Sequence, residues 1–257
     1  MLIIKNGGTQ KPMEKILNLA MLISGGGTTM EAIALAVNSG KLKGIKPRLV
    51  ISSRSEAGGI QRAKQAGISE EDILVIRPKD YATREAFGEA LVTACQARQI
   101  DVIGQYGWMP LTPANLITTY QGKIINQHLG PLDPGYPGYD FGGQGMYGMR
   151  VHCARLYFVR AVQRDFWTEA TAHLVTEQYD EGELLGTKRV EILPDDTPVS
   201  LQQRTLPAEW ELQIDVLRQL AEGTLKPFRR EERLVLPGEE GILATAKQVA
   251  GQLFPKG

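Results

Sequence analysis

Ile16-Leu17-Asn18-Leu19-Ala20-Met21-Leu22-Ile23 is a short apolar run, and Ser24-Gly25-Gly26-Gly27-Thr28-Thr29 follows it at once. A helical pattern then occupies 30–37. The run is the length of a buried strand. Strand, glycine-rich turn and helix together aim backbone N–H groups and a helix dipole at an anion. Glycines allow close approach to a phosphate, and the Thr28 and Thr29 hydroxyls add donors. The spacing is neither a Walker loop nor a dinucleotide fingerprint. Taken alone, the turn serves equally well as a tight strand-to-helix connection.

The same alternation recurs downstream. Strands are expected at 47–52, 73–76, 101–104 and a fifth ending in Ile124-Ile125-Asn126, with helices at 57–66 and 84–98 between them. Thr83 caps the second of these helices, whose apolar stripe carries Phe87, Leu91 and Ala94. Short strands alternating with helices predict an α/β fold with a doubly wound, mostly parallel, Rossmann-like sheet. Ligands in such sheets bind beyond the carboxyl ends of the strands. The segments 24–29, 107–109 and 126–128 all follow a strand and should gather at one rim. Further along, a helix is expected over 149–162, strands over 168–176 and 184–193, and a helix over 198–220 interrupted at Pro207. The organisation is an N-terminal extension (1–15), a main domain (16–223) and a C-terminal appendage (224–257) containing a short helix near 242–253.

Composition narrows the function classes. The 257 residues carry 29 basic and 29 acidic side chains, so the formal net charge is zero and no general attraction to nucleic acid is expected. The two cysteines, Cys95 and Cys153, are a poor disulfide framework and have no metal-site spacing. No run approaches the ~18 apolar residues of a membrane span. A cytoplasmic protein acting on small molecules, without a metal, is the expectation.

Asn126 and His128 stand at i and i+2 of a strand, so their side chains share a face and can converge on one substrate atom. By spacing alone, a strand ending in a capped turn explains them as well. His152 reads as a packing or surface residue, and His173 as either a core residue or a support for the site. Trp108 and Met109 read as core or as a cavity wall. Asp133 and Asp140 read as solvated loop carboxylates, with Asp133 in reach of an amine as the alternative. The stretch 229–233 reads as a solvated face, and Arg84 as a phosphate neighbour or a helix-start residue.

Over about 17–222 the chain resembles the glycinamide ribonucleotide formyltransferase family, as a divergent member. Ser24-Gly-Gly-Gly-Thr-Thr29 resembles that family's phosphate turn, Gly107-Trp108-Met109 its Gly-Phe-Met, and Asn126-Gln127-His128 its Asn-Ile-His. Asp180-Glu181-Gly182 resembles its Asp-x-Gly, and Leu201-Gln-Gln-Arg204 with Glu209 its Leu-x-x-Arg…Glu helix. The resemblance implies Asn126, His128 and Asp180 as the catalytic set. It implies Gly26, Gly27, Thr28 and Thr29 at the substrate phosphate and Glu209 at the acceptor ribose or amine. Arg84, Trp108, Met109 and Leu111 are implied at the folate. The co-substrate implied is 10-formyltetrahydrofolate, without a metal, and a homodimer is left open. In such a reaction Asn126 donates to the oxyanion, and His128 donates to it or moves a proton. Asp180 favours the charged imidazole.

The departures are local. His128 is followed by Leu-Gly-Pro-Leu-Asp-Pro134 and an enlarged loop, Pro110 replaces an Arg, Thr29 an Asn, and Trp210 a His. Formyl transfer to an amine is therefore firmer than the identity of the amine. The alternatives are a formyltetrahydrofolate hydrolase, an amino-sugar formyltransferase, or a noncatalytic protein that binds nucleotide or folate.

Overall fold

The computed structural model describes residues 16–257, so the stretch 1–15 lies outside the described residues. Seven strands form one sheet: β1 (Leu17–Ile23), β2 (Ile45–Ser52), β3 (Ile73–Val75), β4 (Val102–Gln105), β5 (Ile124–His128), β6 (Trp167–Leu174) and β7 (Leu184–Glu191). Their spatial order is β3-β2-β1-β4-β5-β6-β7. The first five are parallel, and β6 and β7 add antiparallel pairs at one edge. The sheet is doubly wound and mostly parallel, as the alternating pattern predicts. The chain leaves β1 toward β2 on one side and later returns to β4 on the other. A cleft is expected at that switch.

The apolar run 19–23 is buried on both faces, so it reads as continuous rather than alternating. Leu19, Met21 and Ile23 pack with Met30 and Ile33 of α1 (Thr28–Asn38) and with Leu212 and Val216 of a later helix. Ala20 and Leu22 pack on the opposite face with Phe87 and Leu91, from the helix Arg84–Gln96. Between these two helices in the chain lies α2 (Gly58–Gln65), so Arg84–Gln96 is α3. Thr83 caps α3 by accepting the Ala86 N–H at 3.1 Å.

A short helix, α4 (Ala114–Thr119), was not expected, and it buries Leu116 in the α3 layer. After α5 (Met149–Val162), α6 (Pro198–Glu222) runs unbroken through Pro207, contrary to the expected interruption. A proline inside a helix costs roughly 3 kcal/mol through its missing N–H and ring clash. Burial of Leu201, Ala208, Leu212, Val216 and Leu217 along the same helix offsets that. A Thr197/Ser200 capping box opens α6 and Gly223, in the left-handed region, closes it. The last helix, α7 (Glu240–Leu253), packs on α5. Leu234, Val235, Leu243, Ala246 and Ala250 share a third apolar cluster with Phe141, Leu156 and Phe158. Residues 224–257 thus contribute to the core.

Two expectations about charged residues are corrected. Asp133 and Asp140 are buried, at 1% and 6% exposure, rather than solvated. Within 229–233, Arg230 is only partly exposed and forms an ion pair with the fully buried Glu169, while its four neighbours are exposed as expected. Asp140 accepts the Asp133 and Gly142 N–H groups and Glu169 faces Arg230, whereas burial pushes the Asp133 carboxyl up.

Candidate active site

The site begins on β5. Asn126 lies in register with Gln105 of β4 and His173 of β6, and His128 with Thr171. The pleat turns Asn126 and His128 to the same face, and a directly opposed pair brings His173 beside Asn126. Asn126 Nδ2 is 3.1 Å from His173 Nε2. The other ring nitrogen, Nδ1, donates to the Leu174 carbonyl at 2.9 Å. Nε2 of His173 therefore faces both the Asn126 amide and the Asp180 turn.

Asp180 arrives from the turn between β6 and β7. That turn folds tightly against β6, and Gly182 permits it: a Cβ there would stand 1.7 Å from the Leu174 carbonyl oxygen. Asp180 itself has φ 59°, a left-handed conformation that Asp tolerates. Its carboxylate is 3.6 Å from His128 Nδ1 and 3.5 Å from His173 Nε2, and it accepts the Gly143 N–H at 3.0 Å. Burial pushes the Asp180 carboxyl up. His128, His173 and the Gly143 N–H outweigh that and hold it far below the usual carboxylate range. The three residues expected from sequence, Asn126, His128 and Asp180, meet in space, and His173 stands beside them.

His128 Nε2 lies 3.0 Å from the Phe141 carbonyl. A carbonyl only accepts, so Nε2 carries a proton and Nδ1, facing Asp180, is the atom that gains or loses one. These four side chains line a cavity of about 190 Å³ with Gln127, Trp108, Met109, Pro110, Leu111 and Thr112. Trp108 is buried and stacks on Phe87 with centroids 6.3 Å apart, while Met109 is 47% exposed at the mouth. Arg84 is set apart. It is exposed and lines an adjoining cleft, which shares Pro110 and Leu111 with the main cavity.

The glycine turn adjoins this cavity without lining it. Gly27, at φ 71°, is the N-cap of α1, and a Cβ there would meet the Gly59 Cα at 2.7 Å. Thr28 and Thr29 form the first turn of α1 behind the exposed Gly25 and Gly26. Ser24 joins the turn to the cavity wall. Its N–H donates to the Gly107 carbonyl at 3.1 Å, and its hydroxyl accepts the Met109 N–H at 2.9 Å.

Glu209 is 1% exposed and stands behind the cavity wall, accepting from Gln127 Nε2 at 2.6 Å. Burial pushes its carboxyl up to about 8. Because the folded value exceeds the ordinary 4.5, the folded chain holds a proton that the unfolded chain releases between those values. Stability contributed by this group is full below about pH 4.5 and falls as pH rises toward about 8. Glu209→Gln keeps the acceptor for Gln127 and removes the titration. Urea unfolding at pH 5 and pH 8 is expected to show the variant gaining on the wild type at the higher pH, by order of 1 kcal/mol per pH unit. Parallel pH dependences for the two proteins would contradict this.

The groups that sequence reasoning missed are mostly main-chain ones. No side-chain signal marks the Phe141 carbonyl or the Gly143 N–H. His152 is fully buried on α5, and burial, reinforced by the His128 charge, pushes it down to about 4, so it is neutral packing beside the site. Cys95 and Cys153 are both buried free thiols. Among the described residues no His/Cys/Asp/Glu group could hold a metal, and no helix is long and apolar enough to cross a membrane.

Comparison with known proteins finds relatives over most of the chain. The formyl transferase family model matches residues 17–217. The chloroplastic phosphoribosylglycinamide formyltransferase of Arabidopsis thaliana is 29% identical over 225 residues, which cover 86% of this chain and 70% of that protein. The Escherichia coli phosphoribosylglycinamide formyltransferase is 28% identical, covering 82% of this chain and 90% of its own. Among solved structures, glycinamide ribonucleotide transformylase 1 from Symbiobacterium toebii superposes with a TM-score of 0.70 at 28% identity, covering 85% of this chain and 94% of that one.

Proposed function

Because the chain belongs to the formyl transferase family, we propose that it transfers the formyl group of 10-formyltetrahydrofolate to the amine of glycinamide ribonucleotide. The observation that carries the reading is the meeting of Asn126, His128 and Asp180 around one cavity.

The amine nitrogen attacks the formyl carbon, and the carbonyl electron pair moves to oxygen. The Asn126 amide donates to that oxyanion without a change of charge. His128, fixed at Nε2 by the Phe141 carbonyl, places the imidazolium charge beside that oxyanion. Asp180 stays ionised and balances the imidazolium through Nδ1. One preorganised side-chain donor at an oxyanion contributes about 3–4 kcal/mol. The tetrahedral intermediate then expels the folate nitrogen, and the proton lost by the amine passes to it.

The turn carrying Gly26, Gly27, Thr28 and Thr29 fits the acceptor's phosphate, with Gly26 exposed just before an 11-residue helix. Glu209 serves the acceptor's sugar through Gln127, which does line the cavity. Trp108, Met109 and Leu111 form the folate wall, with Arg84 in the adjoining cleft at the folate's outer end.

Incubation with 10-formyltetrahydrofolate, with and without glycinamide ribonucleotide, tests the reading. Tetrahydrofolate release that depends on the acceptor is expected. Release without the acceptor identifies a hydrolase instead, and no release under either condition removes the enzymatic reading.

A further inference from the structure

We propose that Lys247, on the C-terminal helix α7, is a positioning residue for the catalytic pair His128–Asp180, acting through the single peptide unit Gly142–Gly143. The inference rests on the reading of that pair given above. Lys247 lies beyond residue 217, where the family match ends.

Lys247 Nζ donates to the Gly142 carbonyl at 3.0 Å. The N–H of that same peptide unit, on Gly143, donates to Asp180 Oδ2 at 3.0 Å. One peptide plane is thus held at both ends, its oxygen by an ammonium and its N–H by the catalytic carboxylate. The charges align with the peptide dipole, and such chains polarise one another in a low-dielectric setting. The preceding residue supplies the carbonyl that fixes His128 Nε2, at 3.0 Å. Asp140 Oδ1 accepts the Gly142 N–H at 2.9 Å. Three consecutive residues therefore carry both backbone contacts to the catalytic pair, and Lys247 grips the middle one.

A Gly–Gly peptide has little intrinsic resistance to rotation, since neither residue carries a Cβ. Flipped, it would turn the Gly142 oxygen toward Asp180 and replace a donor with a repelling acceptor. Lys247 opposes that flip. The helix bearing it is anchored on α5 by Leu243, Ala246 and Ala250, so the ammonium is presented from a rigid base. The lysine also borders a cavity of about 520 Å³, which meets the catalytic cavity at Gly143, Tyr179 and Asp180. A shorter or uncharged side chain there meets space rather than a clash. The charged neighbours are few. Asp140, Asp180, Glu181 and Arg150 surround this cavity with Lys247, and His128 and His173 face Asp180 from β5 and β6. Arg150 is occupied by the carbonyls of Gly145, Phe254 and Pro255.

The test uses the full chain with Lys247→Met, Lys247→Arg and, as a packing control, Leu243→Ala. The first readout is the carboxyl carbon resonance of Asp180 followed against pH, which needs no substrate. Lys247→Met is expected to raise its titration midpoint by about one unit, a tenfold gain in proton affinity. Lys247→Arg should restore it, and Leu243→Ala should leave it in place even where the melting temperature falls. The second readout is formyl transfer. Lys247→Met should lower kcat about tenfold, with KM for both substrates changed less than threefold. An unmoved Asp180 midpoint overturns the proposal, as does an equal shift in Leu243→Ala. If Lys247→Met does not fold, Lys247→Gln takes its place under the same criteria. A wild type that titrates as expected but transfers no formyl group would remove the functional reading and leave the clamp standing.

Discussion

Asp180→Asn is expected to lower kcat for formyl transfer by about 10²–10⁴-fold, the range associated with loss of a positioned acid–base group. The substitution is conservative in every respect except charge. Position 180 has φ 59°, and asparagine accepts the left-handed region as readily as aspartate does. Its amide oxygen can still accept the Gly143 N–H that Asp180 now takes at 3.0 Å. What disappears is the negative charge facing His128 Nδ1 and His173 Nε2. Without it the imidazolium formed during the reaction has no counter-charge in a buried site. Because Asp180 is held far below the usual carboxylate range, it is ionised throughout neutral pH. The deficit of the variant should therefore be the same at pH 6 and pH 8. Steady-state kinetics at both pH values, with a thermal melt to confirm folding, check the result. A variant within threefold of wild type would show that the carboxylate charge has no part in the reaction.

The sheet was legible because its strands are short apolar runs set between glycine turns and capped helices. The run 19–23 is buried on both faces, and that favours the parallel, helix-covered arrangement. Asn126 and His128 were legible as a pair because strand geometry has a period of two. Asp180 was not legible from pattern. It lies in an irregular turn 52 residues after His128 by numbering, and only the resemblance in its Asp-x-Gly singled it out. The helix α4 escaped notice because its six residues follow Pro110 and Pro113 and are too few to show a period. The continuity of α6 through Pro207 was hidden for the opposite reason, since a strong local breaker is overruled by the burial of the residues around it. Lys247 and Arg230 look in sequence like ordinary surface cations. Their partners are a main-chain carbonyl and a buried carboxylate more than 60 residues away, and such pairings leave no local trace.

Arg230→Met is expected to destabilise the chain by about 3–5 kcal/mol, the cost of removing one member of a buried ion pair. Glu169 is fully buried on β6, and Arg230 is its cationic partner. The neighbouring groups offer little replacement: Thr171 Oγ1 reaches the carboxylate only at 3.3 Å. The variant would thus leave an ionised carboxylate in the interior or force it to take up a proton. Arg230 Nε also donates to the Leu132 carbonyl at 2.6 Å, so its removal frees an acceptor in the loop after His128 as well. Attraction between two buried charges is largely cancelled by the cost of taking both out of water. The double variant Glu169→Leu/Arg230→Met removes both charges and should therefore lie closer to wild type than Arg230→Met alone. Urea midpoints of the three proteins at pH 7 decide between this account and a solvated arginine. A single variant that costs less than about 1 kcal/mol is the surface case, and a double variant no more stable than the single one means that packing, rather than an orphaned charge, sets the loss. If the loss is charge-driven, the loop that brings Phe141 to His128 is held from the chain's last forty residues at two points, Leu132 by Arg230 and Gly142 by Lys247. The C-terminal segment then belongs to the catalytic architecture, although the family match ends before it begins.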